Sequence, residues 1–321
     1  MTQVPITVTE GSLSQSTADG VLSLAAAAAA ADGIAPLSED ALYTVEYGGA
    51  GVQHLCFTQP DGSVIGYAHL VPPEVGAPDD DRSGELLIHP AHRRQGLGSD
   101  LAAELTRRAA GHGVRVWAHG DLPAAAALAR SAGFTRVRSL WQLRMSLKDA
   151  AIPEPAFPAG VTVRTFRPGE DEVAWLAVNR RAFAHHPEQG SWTLDDLRLR
   201  EEEAWFDPAG FFLAERDGQL AGFHWTKVHA DGGENDAPIG EVYVVGIDPD
   251  QQGGGLGRAL TLAGLGYLRD RGLADVLLYV DEDNTAAVRM YTALGFTRWS
   301  ADVMYQKVSA LGLGPYPARS S

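Results

Sequence analysis

Two glycine-rich segments carry the first chemistry in this chain: Arg93-Arg94-Gln95-Gly96-Leu97-Gly98 and Gln252-Gly253-Gly254-Gly255-Leu256-Gly257. Each lies between a strand-like run and a stretch with helical spacing. Glycine lets the backbone approach a ligand closely, and the free N–H groups of a first helical turn point at whatever lies beyond, which suits a pyrophosphate. Two copies in the same strand-to-helix setting read as anion cradles. Neither ends in the Lys-Ser/Thr of a P-loop, and the spacing is shorter than GxGxxG with its downstream ribose-binding acid. Nucleoside triphosphates and dinucleotides therefore fall away as ligands.

The elements around the loops repeat as well. GELLIHPAHRRQGLG, a helical segment, VRVWAH and a second helical segment ending in SAGF form the first copy. EVYVVGIDPDQQGGGLG, a helical segment, DVLLYVDEDN and a helix ending in ALGF form the second. Such a long period indicates duplication of a whole domain and not a solenoid. Strands are expected at Val242, Val244, Val245 and Ile247 and at 276–280. Helices are expected from Ala102, Leu105, Thr106, Ala109 and Ala110, and from Leu260, Ala263, Gly264, Tyr267 and Leu268. Upstream, HLCFTQPDGSVIGYAHL and GFFLAERDGQLAGFHWTKV place Asp61-Gly62 and Asp217-Gly218 where two-residue hairpin turns want them. Each copy thus starts antiparallel and ends with an α/β crossover. DAAIPEPAFPAG holds three prolines and predicts an extended linker over 151–160. It separates a first domain, 1–150, from a second, 161–308, and the Gly-, Pro- and Ser-containing end, 309–321, reads as a flexible tail.

The 321 residues are enough for about two domains at roughly 100 to 200 residues each. With 45% hydrophobic and 21% charged residues, the composition is that of a globular protein. The net charge of −15 repels phosphate backbones, so nucleic acid and anionic membrane are not expected partners. The single cysteine, Cys56, sits in an apolar run, excludes an intrachain disulfide and reads as a buried core thiol. No metal is expected: His185-His186 lacks the further ligands at suitable spacing and reads as loop. The longest apolar tract, Leu24 to Ala31, is far below the ~18 residues that span a bilayer, and no Lys or Arg precedes Arg82, so the chain reads as cytoplasmic.

Arg/Gln-x-x-Gly-x-Gly after a strand ending in His-Pro or Asp-Pro, followed by Asn284-x-x-Ala287-x-x-x-Tyr291-x-x-x-Gly295-Phe296, resembles the GCN5-related N-acetyltransferases. The resemblance covers most of both halves. It implies an α/β tandem duplication of that fold, a mixed sheet flanked by helices in each half, with acetyl-CoA as co-substrate. DGIAPLSE, HHPEQGSW, EEEAWFDPAG, GFHWTKVH and GEVYVVGIDP are similar to tandem members that acetylate the cysteinyl amine of cysteinyl-glucosaminyl-inositol. Partners would then be two small molecules, and a monomer is expected because duplication could supply internally the contacts that single-domain relatives obtain by pairing.

The resemblance also implies roles. Amide formation from a thioester needs a neutral amine, a polarised carbonyl and a proton for the departing thiolate. Glu241 resembles the family's general base and Tyr291 its general acid. Val245, Gly246 and Ile247 fall where the family splays its strand and offers a backbone N–H to the thioester carbonyl, and Gly246 suits a bulge there. Coenzyme contacts are implied for Gln252, Gly253, Gly254, Gly255, Leu256, Gly257, Arg258, Asn284 and Arg289. In the first half the matching set is Leu86, Leu87, Ile88, Arg94, Gln95, Gly96, Leu97, Gly98 and Ser99. Asn284 also suits a helix N-cap. Glu39, Glu188, Lys227 and Tyr279, with Glu241, are implied acceptor contacts, and Glu39 would place the acceptor in a cleft between the halves.

The copies differ. Counting back from Pro90 and Pro249, Arg82 stands where the second copy has Glu241, and Ala129 stands where it has Tyr291. The first half is therefore expected to be catalytically silent, its arginine-bearing loop able to hold coenzyme more tightly than QQGGGLG. Acetyl transfer to another small-molecule or peptide amine, or a non-catalytic acyl-CoA sensor, stay as alternatives.

Overall fold

The computed structural model describes residues 5–73, 80–148, 151–184, 187–233 and 237–309. Two compact units divide the chain, one of Met1–Leu140 with Ser300–Ser321, the other of Trp141–Trp299.

The first unit contains β1 (Ile6–Glu10), α1 (Gln15–Asp32), α2 (Glu39–Tyr47), β2 (Gln53–Thr58), β3 (Val64–Val71), β4 (Arg82–Ile88), α3 (Leu97–Arg108), β5 (Val114–Ala118) and α4 (Pro123–Ser131). Its sheet runs β1-β2-β3-β4-β5 and is completed by β12 (Thr297–Lys307), the last strand of the described chain, antiparallel to β5. β4 and β5 pair parallel. Strand alternation puts helices on both faces. Leu55 and Phe57 pack with Leu101 and Leu105 of α3, whereas Cys56 between them packs with Val21 and Leu24 of α1. Burial pushes the Cys56 thiol up to about 11, as expected of a core cysteine. Ser14 caps α1 through its side chain, and Gly33 ends it at φ 72°, the left-handed position glycine tolerates.

The second unit takes the part of β6 (Thr135–Ser146) from Trp141 onward, then β7 (Val161–Thr165), α5 (Glu172–Ala182), α6 (Pro187–Gly190), α7 (Leu194–Glu201), β8 (Phe211–Arg216), β9 (Gln219–His229), β10 (Ile239–Ile247), α8 (Leu256–Asp270), β11 (Asp275–Asp281) and α9 (Thr285–Ala293). Its strand order is β6-β11-β10-β9-β8-β7. One face is aromatic, with Phe166, Trp175, Phe211, Phe223 and Trp225 buried. The other packs Val242, Val276 and Leu278 against Leu265 and Leu268 of α8 and Tyr291 of α9. The compact units therefore do not end at the proline-rich stretch: Leu143 and Met145 belong to the second unit's core, Val303 and Tyr305 to the first's.

Two local expectations change. Asp217-Gly218 turns the β8–β9 hairpin with both residues at positive φ (51° and 74°), a two-residue turn. The β2–β3 connection instead spans 59–63, with Gly62 at φ 89° donating to the Gln59 carbonyl and Asp61 accepting from the Ser63 N–H. The bulge on β10 also lies elsewhere than at Gly246: the register with β9 shifts between Val242 and Val244, so Tyr243 is the extra residue. That insertion sends Val242 and Val244 to opposite faces. Gly246 stays in register opposite Phe223, and a Cβ there would come within 2.6 Å of the Phe223 ring. Ring packing is what demands the glycine.

Candidate active site

In each unit the two central parallel strands start paired and then part. β10 pairs with β11 only at Gly240 and Glu241, while its ladder with β9 continues to Ile247. β4 pairs with β5 only from Arg82 to Gly84, while its ladder with β3 reaches Ile88. The parting frees one backbone edge of Val245, Gly246 and Ile247, and of Leu86, Leu87 and Ile88.

A glycine-started helix follows each parted strand. Gly255 (φ 82°) is the N-cap of α8 and Gly96 (φ 93°) that of α3, and neither helix has a side-chain cap. The first-turn N–H groups are thus left for a ligand. Gly253 and Gly254 also have positive φ (91° and 61°), which explains three glycines in a row. Gln252 to Gly255 and Arg258 are exposed, whereas Leu256 anchors the turn in the core and Gly257 adjoins Ile247. α8 has no acid in its first turn, but α3 has Asp100. Arg93 is bound to Asp32 through two hydrogen bonds of 2.8 and 2.7 Å and donates to the Ile88 carbonyl. Of the two arginines credited to the first loop, Arg93 is thus tied to Asp32, whereas Arg94 is exposed. The corresponding tie in the second unit is Arg181 to Asp248, at 2.8 Å.

The first unit holds a cavity of about 630 Å³ lined by Leu86, Leu87, Ile88, Arg94, Gly96, Leu97, Gly98 and Ser99, with Ala129 and His119 also on its wall. Gln95, exposed in the loop, is the one expected contact not on that wall. His119 lies between Glu85 Oε1 (3.4 Å) and Asp302 Oδ2 (3.3 Å). Burial opposes its charge, but the two carboxylates outweigh burial and raise it to about 9. Glu85, buried, also accepts the Ser38 N–H at 2.9 Å.

In the second unit Glu241 is 6% exposed, on β10 directly opposite Lys227 of β9. Its carboxylate nevertheless meets His229, Oε2 to Nε2 at 2.6 Å. Lys227 instead holds its ammonium over Trp205 (4.7 Å to the ring centroid) and Tyr243 (5.4 Å). Tyr243 is restrained in turn by Arg200, whose Nε donates to the phenol at 3.3 Å. Tyr291, on α9, is buried against Phe296, and burial pushes its hydroxyl up to about 12. Asn284 caps α9 by accepting the Ala287 N–H, and Arg289 is exposed on the same helix. Tyr279 is 47% exposed and its hydroxyl accepts from Gln142 Nε2 at 2.7 Å. Glu188 falls within α6, and Glu39 opens α2 in the first unit, exposed. His185 and His186 lie outside the described residues. Among the described residues no three His, Cys, Asp or Glu side chains gather as a metal site, and no helix is long and apolar enough to cross a membrane.

The sequence reading missed His229, the bulged Tyr243 and the Asp32–Arg93 tie. Period-two spacing places His229 on the same strand face as Lys227, diagonal to Glu241, so the register was the missing signal.

Comparison with known proteins agrees with this geometry. The model of the acetyltransferase (GNAT) family matches residues 31–134 and 175–296. A mycothiol acetyltransferase of Thermobispora bispora is 58% identical over 289 residues, spanning 90% of this chain and 95% of the relative. Another mycothiol acetyltransferase, of Thermomonospora curvata, is 59% identical over 286 residues, 89% of this chain and 92% of the relative. Among solved structures, a GCN5-related N-acetyltransferase from Sphaerobacter thermophilus superposes with a TM-score of 0.72 at 25% identity, covering 95% of this chain and 97% of that one. A tandem GNAT protein from the clavulanic acid biosynthesis pathway shares the fold at TM-score 0.70, with 22% identity and coverage of 97% and 100%.

Proposed function

Because the chain belongs to the acetyltransferase (GNAT) family, we propose that it transfers the acetyl group of acetyl-CoA to the cysteinyl amine of cysteinyl-glucosaminyl-inositol, giving mycothiol. The second unit carries the reaction. The observation that supports this most is the parting of β10 from β11 immediately after Glu241, next to a helix whose N-terminal N–H groups have no side-chain cap.

The amine attacks the thioester directly. Glu241 takes one proton from the ammonium, and the nitrogen bonds the carbonyl carbon as the backbone of Val245, Gly246 and Ile247 polarises its oxygen. The carbon–sulfur bond then breaks, Tyr291 supplies a proton to the departing sulfur, and the second proton shed by nitrogen returns to the tyrosine. One proton per turnover leaves from Glu241, so the step balances. A cysteinyl α-amine has a reference pKa of ~7.7 to 8.0, so neutralising it near pH 7 costs only about 1 kcal/mol. A single carboxylate is sufficient for that task. Gln252, Gly253, Gly254, Gly255, Leu256, Gly257 and Arg258 hold the pyrophosphate, with Asn284 and Arg289 alongside, and Glu188, Lys227 and Tyr279 bind the acceptor's hydroxyls and amide.

The first unit keeps a cavity beside its glycine loop, but has Ala129 in place of the acid and, once the extra residue Tyr243 of β10 is allowed for, Ser83 and not Arg82 at the register position of Glu241. We assign it coenzyme binding without turnover. The enzyme acts as a cytoplasmic monomer. Mass spectrometry of the product from acetyl-CoA and cysteinyl-glucosaminyl-inositol tests the reading: one acetyl group on nitrogen with a free thiol is expected. Thioester hydrolysis without acetylated amine would overturn it.

A further inference from the structure

We propose that His229 is a positioning residue for the base, holding one oxygen of the Glu241 carboxylate so that the other faces the acceptor amine. The inference rests on the acetyl transfer proposed above. Glu241 is buried, and a carboxylate turns easily about its last bond unless something fixes it. The residue directly across the ladder, Lys227, does not do so, because its ammonium is engaged with the Trp205 and Tyr243 rings. The imidazole two residues along β9 reaches diagonally and meets Glu241 Oε2 at 2.6 Å. An ionised carboxylate offers only acceptors, so Nε2 carries the hydrogen and donates. Among the described residues His229 is the carboxylate's one hydrogen-bond partner, which leaves Oε1 for the amine.

The burial of the pair is unequal, 8% side-chain exposure for Glu241 against 29% for His229. Solvent thus reaches the imidazole more readily than the carboxylate. The other titratable and charged groups around the pair are Lys227 on the same strand, Tyr243 on β10, Arg200 on α7 and Glu203 after it, the last acting on Tyr243.

Two substitutions separate positioning from simple packing. His229→Gln keeps an N–H donor at a similar reach but cannot take a charge, whereas His229→Phe keeps a ring and removes the donor. We expect His229→Phe to lower kcat by about tenfold to a hundredfold, the cost of a misplaced base, with KM for acetyl-CoA unchanged. His229→Gln should restore most of kcat. Wild-type kcat in His229→Phe would overturn the proposal, as would a His229→Gln variant that falls as far as His229→Phe. Wild-type protein assayed in parallel separates the two readings: no acetylated amine from it defeats the transferase assignment, whereas normal product together with indifferent His229 variants defeats only this inference.

Discussion

Replacing Tyr291 by Phe isolates the proposed acid with little structural disturbance. The side chain is 8% exposed, and its ring meets Phe296 at 5.7 Å, a contact that phenylalanine retains. Burial is the sole cause that lifts its hydroxyl to about 12, with no bonded partner contributing. Deleting the hydroxyl therefore breaks no hydrogen bond among the described residues, and stability should change by less than about 1 kcal/mol. Chemistry should respond more strongly. Against a thiol of reference pKa ~8.5, a donor at about 12 faces an uphill gap of ~3.5 units, or about 5 kcal/mol, for transfer to the free thiolate unless the proton shed by nitrogen returns to it. The hydroxyl therefore donates to sulfur as negative charge develops and passes its proton on as the one from nitrogen arrives. Losing one such donor typically costs ~10² to 10³ in rate, or about 3 to 4 kcal/mol. Release of free thiol from acetyl-CoA at saturating amine gives kcat, and the unfolding midpoint is read on the same sample. A kcat within about threefold of wild type at an unchanged midpoint would refute the reasoning. The hydroxyl also stays protonated well above neutral pH, so wild-type kcat should not decline between pH 8 and 10 on its account.

Glu241→Gln should lower kcat/KM more than about tenfold at pH 7, where an amine of reference pKa ~7.7 to 8.0 is mostly protonated, and the deficit should narrow toward pH 9. A deficit independent of pH would contradict the base role. His119 has its folded pKa raised from 6.5 to about 9, so its ionic contribution is fully present below 6.5 and is lost as pH rises through about 9. At ~1.36 kcal/mol per unit the difference is on the order of 3 kcal/mol, so His119→Gln should lower the unfolding midpoint most near pH 6 and hardly at all above pH 9. An equal loss at both pH values would remove the ionic explanation. Ala129→Tyr, placing a phenol at the first unit's equivalent position, should create no acetyl transfer in a Glu241→Gln background, because Ser83 stands at the register position of the base. Measurable turnover above that background would show the first unit to be competent.

The duplication, the glycine loops and the helices behind them were legible because each rests on local signals: Gly255 and Gly96 mark helix starts, and Asn284 reads as the cap it is. The parting of β10 from β11 followed from the family resemblance, not from local pattern. What the chain hid was tertiary. Nothing in the repeat tells that Val303 and Tyr305 serve the first unit's core and Leu143 and Met145 the second's, since the last strands of the two copies have similar patterns. The small size of Gly246 suggested a bulge, yet its cause is a phenylalanine ring from the neighbouring strand. The loop arginines looked equivalent until Asp32, far away in sequence, claimed Arg93. Likewise the partner of Glu241 depended on hairpin register, which no single strand contains.

The most direct test of the account is the position of the coenzyme sulfur in crystals grown with acetyl-CoA. It should lie within hydrogen-bond reach of the Tyr291 hydroxyl in the second unit, with the acetyl carbonyl against the 245–247 backbone. A sulfur remote from Tyr291, or coenzyme bound in the first unit alone under saturating conditions, would contradict it.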